Sequence, residues 1–130
     1  MNPEAADYLA KAKENLDEAR KILAIGLFTV SSRSSYYAAF HAAEALIITL
    51  TGKIAKSHSG VHSEFARLVK ETTILDPSLT KFLSKSYKYK ETADYSIGEE
   101  FVITKATAEV AAATAEKFIN TIEQFLTSIK

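Results

Sequence analysis

The sequence predicts an all-α fold, one soluble domain built as a compact helical bundle, and three observations carry that reading. Only four Gly and two Pro punctuate 130 residues, too few for the many reversals a sheet needs. Apolar residues recur three and four apart over long stretches, the period of a helix with one buried face. A content of 47% hydrophobic and 25% charged residues suits a chain that buries one continuous core, at a length usual for a single domain.

The first helix is expected over about Pro3 to Ile25. Asn2 can cap it, Pro3 suits its first position, and Glu4 and Asp7 favour the positive end of the helix dipole. Leu9, Ala12, Leu16, Ala19 and Leu23 draw one apolar stripe, and Gly26 supplies a stop. The short Leu27-Phe28 link implies an antiparallel second helix, Val30 to Leu50, ending at Thr51-Gly52. From Tyr36 to Ile48 that helix is apolar almost all round apart from His41 and Glu44, so it should be central, or shared with a second subunit.

Lys53 to Ser57 reads as a loop. Ser57 or Ser59 then caps a third helix that carries Val61, Phe65, Leu68 and Val69. Asp76-Pro77 signals a fourth helix with Leu79, Phe82 and Leu83 inside. Tyr87 to Phe101 breaks the pattern. A last helix from about Thr104 to Ile129 buries Ala108, Ala111, Ala115, Phe118, Ile122, Phe125 and Ile129. No linker or repeat divides residues 1–130.

Sixteen basic residues balance sixteen acidic ones, so overall charge advertises neither a nucleic acid nor a membrane, and any such contact must be local. The absence of cysteine excludes a disulfide scaffold, a thiolate nucleophile and a cysteine-ligated metal. No basic region followed by an apolar run opens the chain, so a cytoplasmic address is expected.

Chemistry concentrates in the second helix. Arg33, Tyr37, His41 and Glu44 are spaced four, four and three apart, within roughly 80° of one another around the axis. An imidazole beside a guanidinium and a carboxylate can do acid–base work while steadying a phosphate. The same residues also suit a structural polar seam, with His41 bonded to Glu44 or Tyr37. His58 and His62 are spaced for one helix face, but no third metal ligand stands at a recognisable spacing. They read as exposed histidines beside a loop, and neither metal nor cofactor is expected. Lys81, Lys85, Lys88 and Lys90 interleave with Tyr87 and Tyr89, which suits either an RNA contact strip or a solvated face. Neither a glycine-rich phosphate loop nor a nucleophile elbow is present.

The segment Ser32-Arg33-Ser34-Ser35-Tyr36-Tyr37-Ala38-Ala39-Phe40-His41-Ala42-Ala43-Glu44-Ala45-Leu46 resembles a segment of small prokaryotic HEPN-domain proteins. Lys56-Ser57-His58-Ser59-Gly60-Val61 with Phe65, and Lys90-Glu91-Thr92-Ala93-Asp94-Tyr95, resemble two further family segments in the same order. The resemblance implies an up-and-down bundle of about five helices that usually dimerises, in many relatives paired with a minimal nucleotidyltransferase as a toxin–antitoxin module. Active relatives cleave RNA without a metal through an arginine and a histidine separated by four to six residues, meeting at the dimer interface. Other relatives bind a nucleotide or a partner without cleavage.

Carried onto this chain, the resemblance makes His41 the general acid/base and Arg33 the phosphate clamp. Ser34, Tyr37, Glu44, Lys56, His58, Lys90, Asp94 and Tyr95 become binding or supporting residues. Seven residues separate Arg33 from His41, one more than the family spacing, and Ser34 occupies the position seven before the histidine. Ala43 stands where some relatives carry a tyrosine that the partner enzyme adenylylates; Tyr36, Tyr37 and Tyr95 are the other tyrosines nearby. The sequence thus expects RNA cleavage in a toxin–antitoxin pair. Its alternatives are a non-catalytic module for a nucleotide or partner, and a dimer whose polar seam only fixes helix register.

Overall fold

Asn2 starts the first helix as its residue type suggests: its side-chain oxygen accepts from the N–H groups of Glu4 and Ala5. The computed structural model describes residues 1–97 and 102–129. These form five helices, α1 (Pro3–Ala24), α2 (Phe28–Thr51), α3 (His58–Thr72), α4 (Ser78–Tyr95) and α5 (Lys105–Ser128), with no strand among the described residues. None of the helices is long and apolar enough to cross a membrane, among the described residues.

Gly26 and Gly52 end α1 and α2 in the left-handed region, φ 83° and 74°, where a side chain would be strained. Ser57 caps α3 by accepting from the Gly60 N–H, and Thr104 caps α5 by accepting from Thr107. The Asp76 carboxylate accepts from the Ser78 N–H, so Asp76-Pro77 opens α4 one residue later than the cap pattern suggested.

α2 touches all four other helices and is the axis of the bundle. Its most extensive partner is α1, which presents Ala5, Ala12 and Ala19 at intervals of seven, with Leu9 and Leu16 between them, all buried. Small side chains at the contact let the two helices approach closely. The buried Ser31 hydroxyl donates to the Ala19 carbonyl at 2.7 Å, satisfying a polar group that the apolar surroundings would otherwise penalise. Phe65 of α3 stacks on Phe118 of α5 at 5.3 Å, with Phe82 of α4 beside it, and this trio closes the other side of the core.

Two expectations need correction. The break placed at Tyr87 is not the end of α4, which continues to Tyr95; Gly98 to Phe101 lie outside the described residues. The buried stripe of α4 runs Leu79, Leu83, Ser86, Lys90, so its second half keeps the helical period but fills it with polar groups. The stripe of α5 ends on buried Leu126, while Ile129 is exposed beyond the helix.

Candidate functional site

Between residues 30 and 48, α2 is buried on every side but one. Val30, Arg33, Tyr37, His41 and Glu44, three, four, four and three residues apart, are its only positions there that are not fully buried. The helix that packs against all others therefore opens to the surface along one line, and beyond Val30 that line is polar and aromatic rather than apolar.

The groups on this line are in contact. The Arg33 guanidinium lies 4.9 Å from the centroid of the Tyr37 ring. Tyr37 stacks on His41, ring centroids 6.1 Å apart, and Tyr8 of α1 stacks on His41 at 6.5 Å. His41 Nδ1 and Glu44 Oε1 are 2.7 Å apart. A neutral imidazole whose Nδ1–H donates to that carboxylate carries its lone pair at Nε2, the form a general base requires.

The other end of the line meets α4. Arg33 Nε donates to Asp94 at 2.7 Å, and Lys90 Nζ lies 3.2 Å from the second oxygen of the same carboxylate. Burial pushes the Asp94 carboxyl up, but the hydrogen bonds from Arg33 and Lys90 outweigh it and hold it below the usual range. The bond to Asp94 in turn raises Lys90. Lys90 also sits over the rings of Tyr87 and Tyr95, at 5.9 and 5.2 Å.

Beneath the line lies a buried cluster centred on Tyr36, whose hydroxyl meets His58 Nδ1 at 2.7 Å and His62 Nε2 at 2.9 Å. One hydroxyl can donate to one imidazole and accept from the other, so the triangle is satisfied when both histidines are neutral. Burial lowers the pKa of both, aided by Lys90 at His58 and by His58 at His62, while burial raises the Tyr36 phenol. His58 also packs against Phe40, Tyr37 and Tyr87, ring centroids 4.6, 6.0 and 5.4 Å away, and forms the floor under the surface line. The two histidines are thus half-buried and paired through a phenol, which corrects their reading as exposed residues beside a loop.

Comparison with known proteins shows what kind of bundle this is. Residues 5–125 match the HEPN domain. The chain belongs to the HEPN-domain family. It is 29% identical over 125 residues to "Putative toxin MJ0142" of Methanocaldococcus jannaschii, covering 96% of this chain and 83% of that one. It is 30% identical over 126 residues to UPF0332 protein glr0978 of Gloeobacter violaceus, covering 97% and 98%. The crystal structure of TT1696 from Thermus thermophilus superposes with a TM-score of 0.80 at 26% identity, covering 95% of this chain and 98% of that one.

In this HEPN domain the expected site residues divide into two groups. Arg33, Tyr37, His41, Glu44, His58, Lys90, Asp94 and Tyr95 form one connected region, a surface line with buried or half-buried groups beneath it, spanning α2, the start of α3 and the end of α4. Ser34 is buried and Lys56 is exposed, and neither bonds to that region among the described residues. Lys81, Lys85 and Lys88 are exposed while Lys90 and Tyr87 turn to the bundle, so the lysine–tyrosine strip is divided between two faces. Sequence reasoning missed Tyr8, which stacks on His41 from α1. Spacing along α2 carries no signal of it.

Proposed function

We propose that this HEPN domain is the toxin-like half of a toxin–antitoxin pair and cleaves RNA without a metal. The observation that carries the reading is the single open stripe of α2, which presents arginine, tyrosine, histidine and glutamate on an otherwise buried helix. In the proposed reaction His41 Nε2 takes the proton of a ribose 2′-hydroxyl, and the 2′-oxygen attacks the adjacent phosphorus. The imidazolium returns the proton to the leaving 5′-oxygen, giving a 2′,3′-cyclic phosphate and a 5′-hydroxyl. Glu44 holds the ring orientation through Nδ1.

Two helical turns, about 12 Å of axial rise, separate Arg33 from His41. Within one chain they would serve successive phosphates. A two-fold dimer that apposes two such stripes would instead bring Arg33 of each copy to His41 of the other, where it steadies the charge gathering on phosphorus. An apolar groove at the start of α2, where Leu27, Val30 and Val102 are exposed together, supports such pairing, since Val30 lies three residues before Arg33. A minimal nucleotidyltransferase is the proposed antitoxin partner, a role that rests on the family resemblance.

The test is cleavage of a mixed RNA pool in EDTA by the wild type and by His41→Ala, with helical content checked for both. Cleavage by the wild type alone supports the reading; no cleavage by a folded wild type refutes it. One observation favours a second reading. Asp94 occupies both Arg33 and Lys90, the cations a phosphate would need. A module that binds a nucleotide or partner by displacing that carboxylate predicts binding without cleavage.

A further inference from the structure

On the other side of His41 from Arg33 runs a groove of about 330 Å³ lined by Glu4, Asp7, Tyr8, Lys11 and His41. The four α1 residues lie at positions i, i+3, i+4 and i+7, one line on the flank of a helix whose buried stripe is Ala5, Leu9, Ala12, Leu16 and Ala19. The groove is not explained by packing: Glu4, Asp7 and Lys11 are exposed, and Tyr8 is half-buried with its ring stacked on His41. Burial, with Glu44 and Glu4 nearby, raises the Tyr8 phenol and keeps it a neutral hydrogen-bonding ring.

The two sides of His41 differ in charge. Toward α4, Arg33 and Lys90 outnumber the Asp94 carboxylate between them, a positive balance that attracts phosphate. Toward α1, Glu4 and Asp7 outnumber Lys11, a negative balance that repels it. A ligand that straddles His41 must therefore put its phosphate on the α4 side and a neutral, hydrogen-bond-donating group on the α1 side. A nucleobase is such a group. It can stack on an aromatic ring beside a carboxylate, and the edge it presents decides which base is held.

We propose that the α1 groove is a base-recognition subsite selective for guanine, next to the phosphate handled at His41. The assignment rests on the reading of the open stripe as an RNA site. Guanine offers two adjacent donors, N1–H and the N2 amino group, that one carboxylate of Glu4 or Asp7 accepts together. It also offers the O6 acceptor to the Lys11 ammonium, and its ring face to Tyr8. Adenine, cytosine and uracil each lack the paired donors, so each leaves a carboxylate oxygen unmatched.

The experiment titrates guanosine, adenosine, cytidine and uridine separately into the full-length wild type, followed by NMR of the Tyr8 and His41 ring signals. The same titrations are run on the Glu4→Gln/Asp7→Asn double variant. The expected result is guanosine binding roughly 5- to 100-fold tighter than the other three, from one bidentate contact, with the preference lost in the folded double variant. Equal binding of all four nucleosides, binding of none, or a preference that survives the double substitution overturns the assignment. These outcomes are independent of cleavage: a wild type that binds guanosine selectively but leaves RNA intact refutes the nuclease reading and not the subsite. If the wild type does cut, its cuts should fall beside guanosines, and that bias should be absent from whatever cutting the double variant shows.

Discussion

Replacing Tyr36 with phenylalanine removes one oxygen atom and leaves the ring packed against Tyr37, Phe40 and Tyr87, at 5.3, 5.7 and 5.4 Å. That oxygen is the shared partner of His58 Nδ1 and His62 Nε2. Tyr36 is fully buried and both histidines are half-buried, so the stranded ring nitrogens recover only part of their hydrogen bonding from water. A buried polar group left unpaired costs about 1–3 kcal/mol, and partial solvent access places the expected loss for the pair in that range, about 2 kcal/mol. With a urea m-value of about 1–3 kcal/mol/M for a small domain, the unfolding midpoint should fall by roughly 1 M. The assay is urea unfolding at pH 7.5 followed by circular dichroism at 222 nm, with m compared between the two proteins. A midpoint within about 0.2 M of the wild type at unchanged m would refute the argument, because it would mean the hydroxyl is not the partner of two half-buried imidazoles.

Acid should weaken the same triangle. Both histidines have their pKa lowered by burial, so the unfolded chain binds protons that the folded chain refuses; stability is full above the unfolded value of about 6.5 and declines as pH falls through it. Urea midpoints at pH 7.5 and 5.5 measure the decline, and equal midpoints would contradict it. Asp94→Asn should release Arg33 and Lys90, tighten RNA binding, and steepen its salt dependence by about 0.7 in log–log slope for each phosphate gained, read by fluorescence anisotropy across a salt series. Phe118→Ala, at a 1% exposed ring stacked on Phe65, should cost about 3–5 kcal/mol by the same unfolding assay, and a loss below 1 kcal/mol would mean the core closes over the gap. Light scattering at micromolar concentration should give twice the monomer mass, and a strict monomer would remove the composite site.

The helices were legible where burial is apolar. The stripe through Leu9, Leu16 and Ala19, the middle of α2 that is apolar apart from His41 and Glu44, and the cap at Asn2 follow from residue type and period alone, while Ser57 is one of the two caps that residue type offers α3. The second half of α4 was not, because its inward positions are Ser86 and Lys90; the period persists, but the hydropathy that reveals it is gone. The same division holds at the site. Arg33, Tyr37, His41 and Glu44 share one helix, so their spacing announces them. The partners that define their chemistry come from elsewhere in the chain: Tyr8 from α1, and Asp94, 61 residues from Arg33, from α4. His58 and His62 read as exposed beside a loop for a related reason, since nothing in their spacing points to Tyr36, and only packing places both around its hydroxyl.

The composite site is tested most directly by mixing. His41→Ala and Arg33→Ala are each purified, assayed alone for RNA cleavage in EDTA, then mixed in equal amounts, allowed to exchange subunits and assayed beside the wild type. If Arg33 of one copy serves His41 of the other, each variant alone is inactive and the mixed dimers contain one intact site. Random exchange then restores about a quarter of wild-type activity. An active wild type with a mixture that stays at the level of the single variants would contradict that account and place each site within one chain.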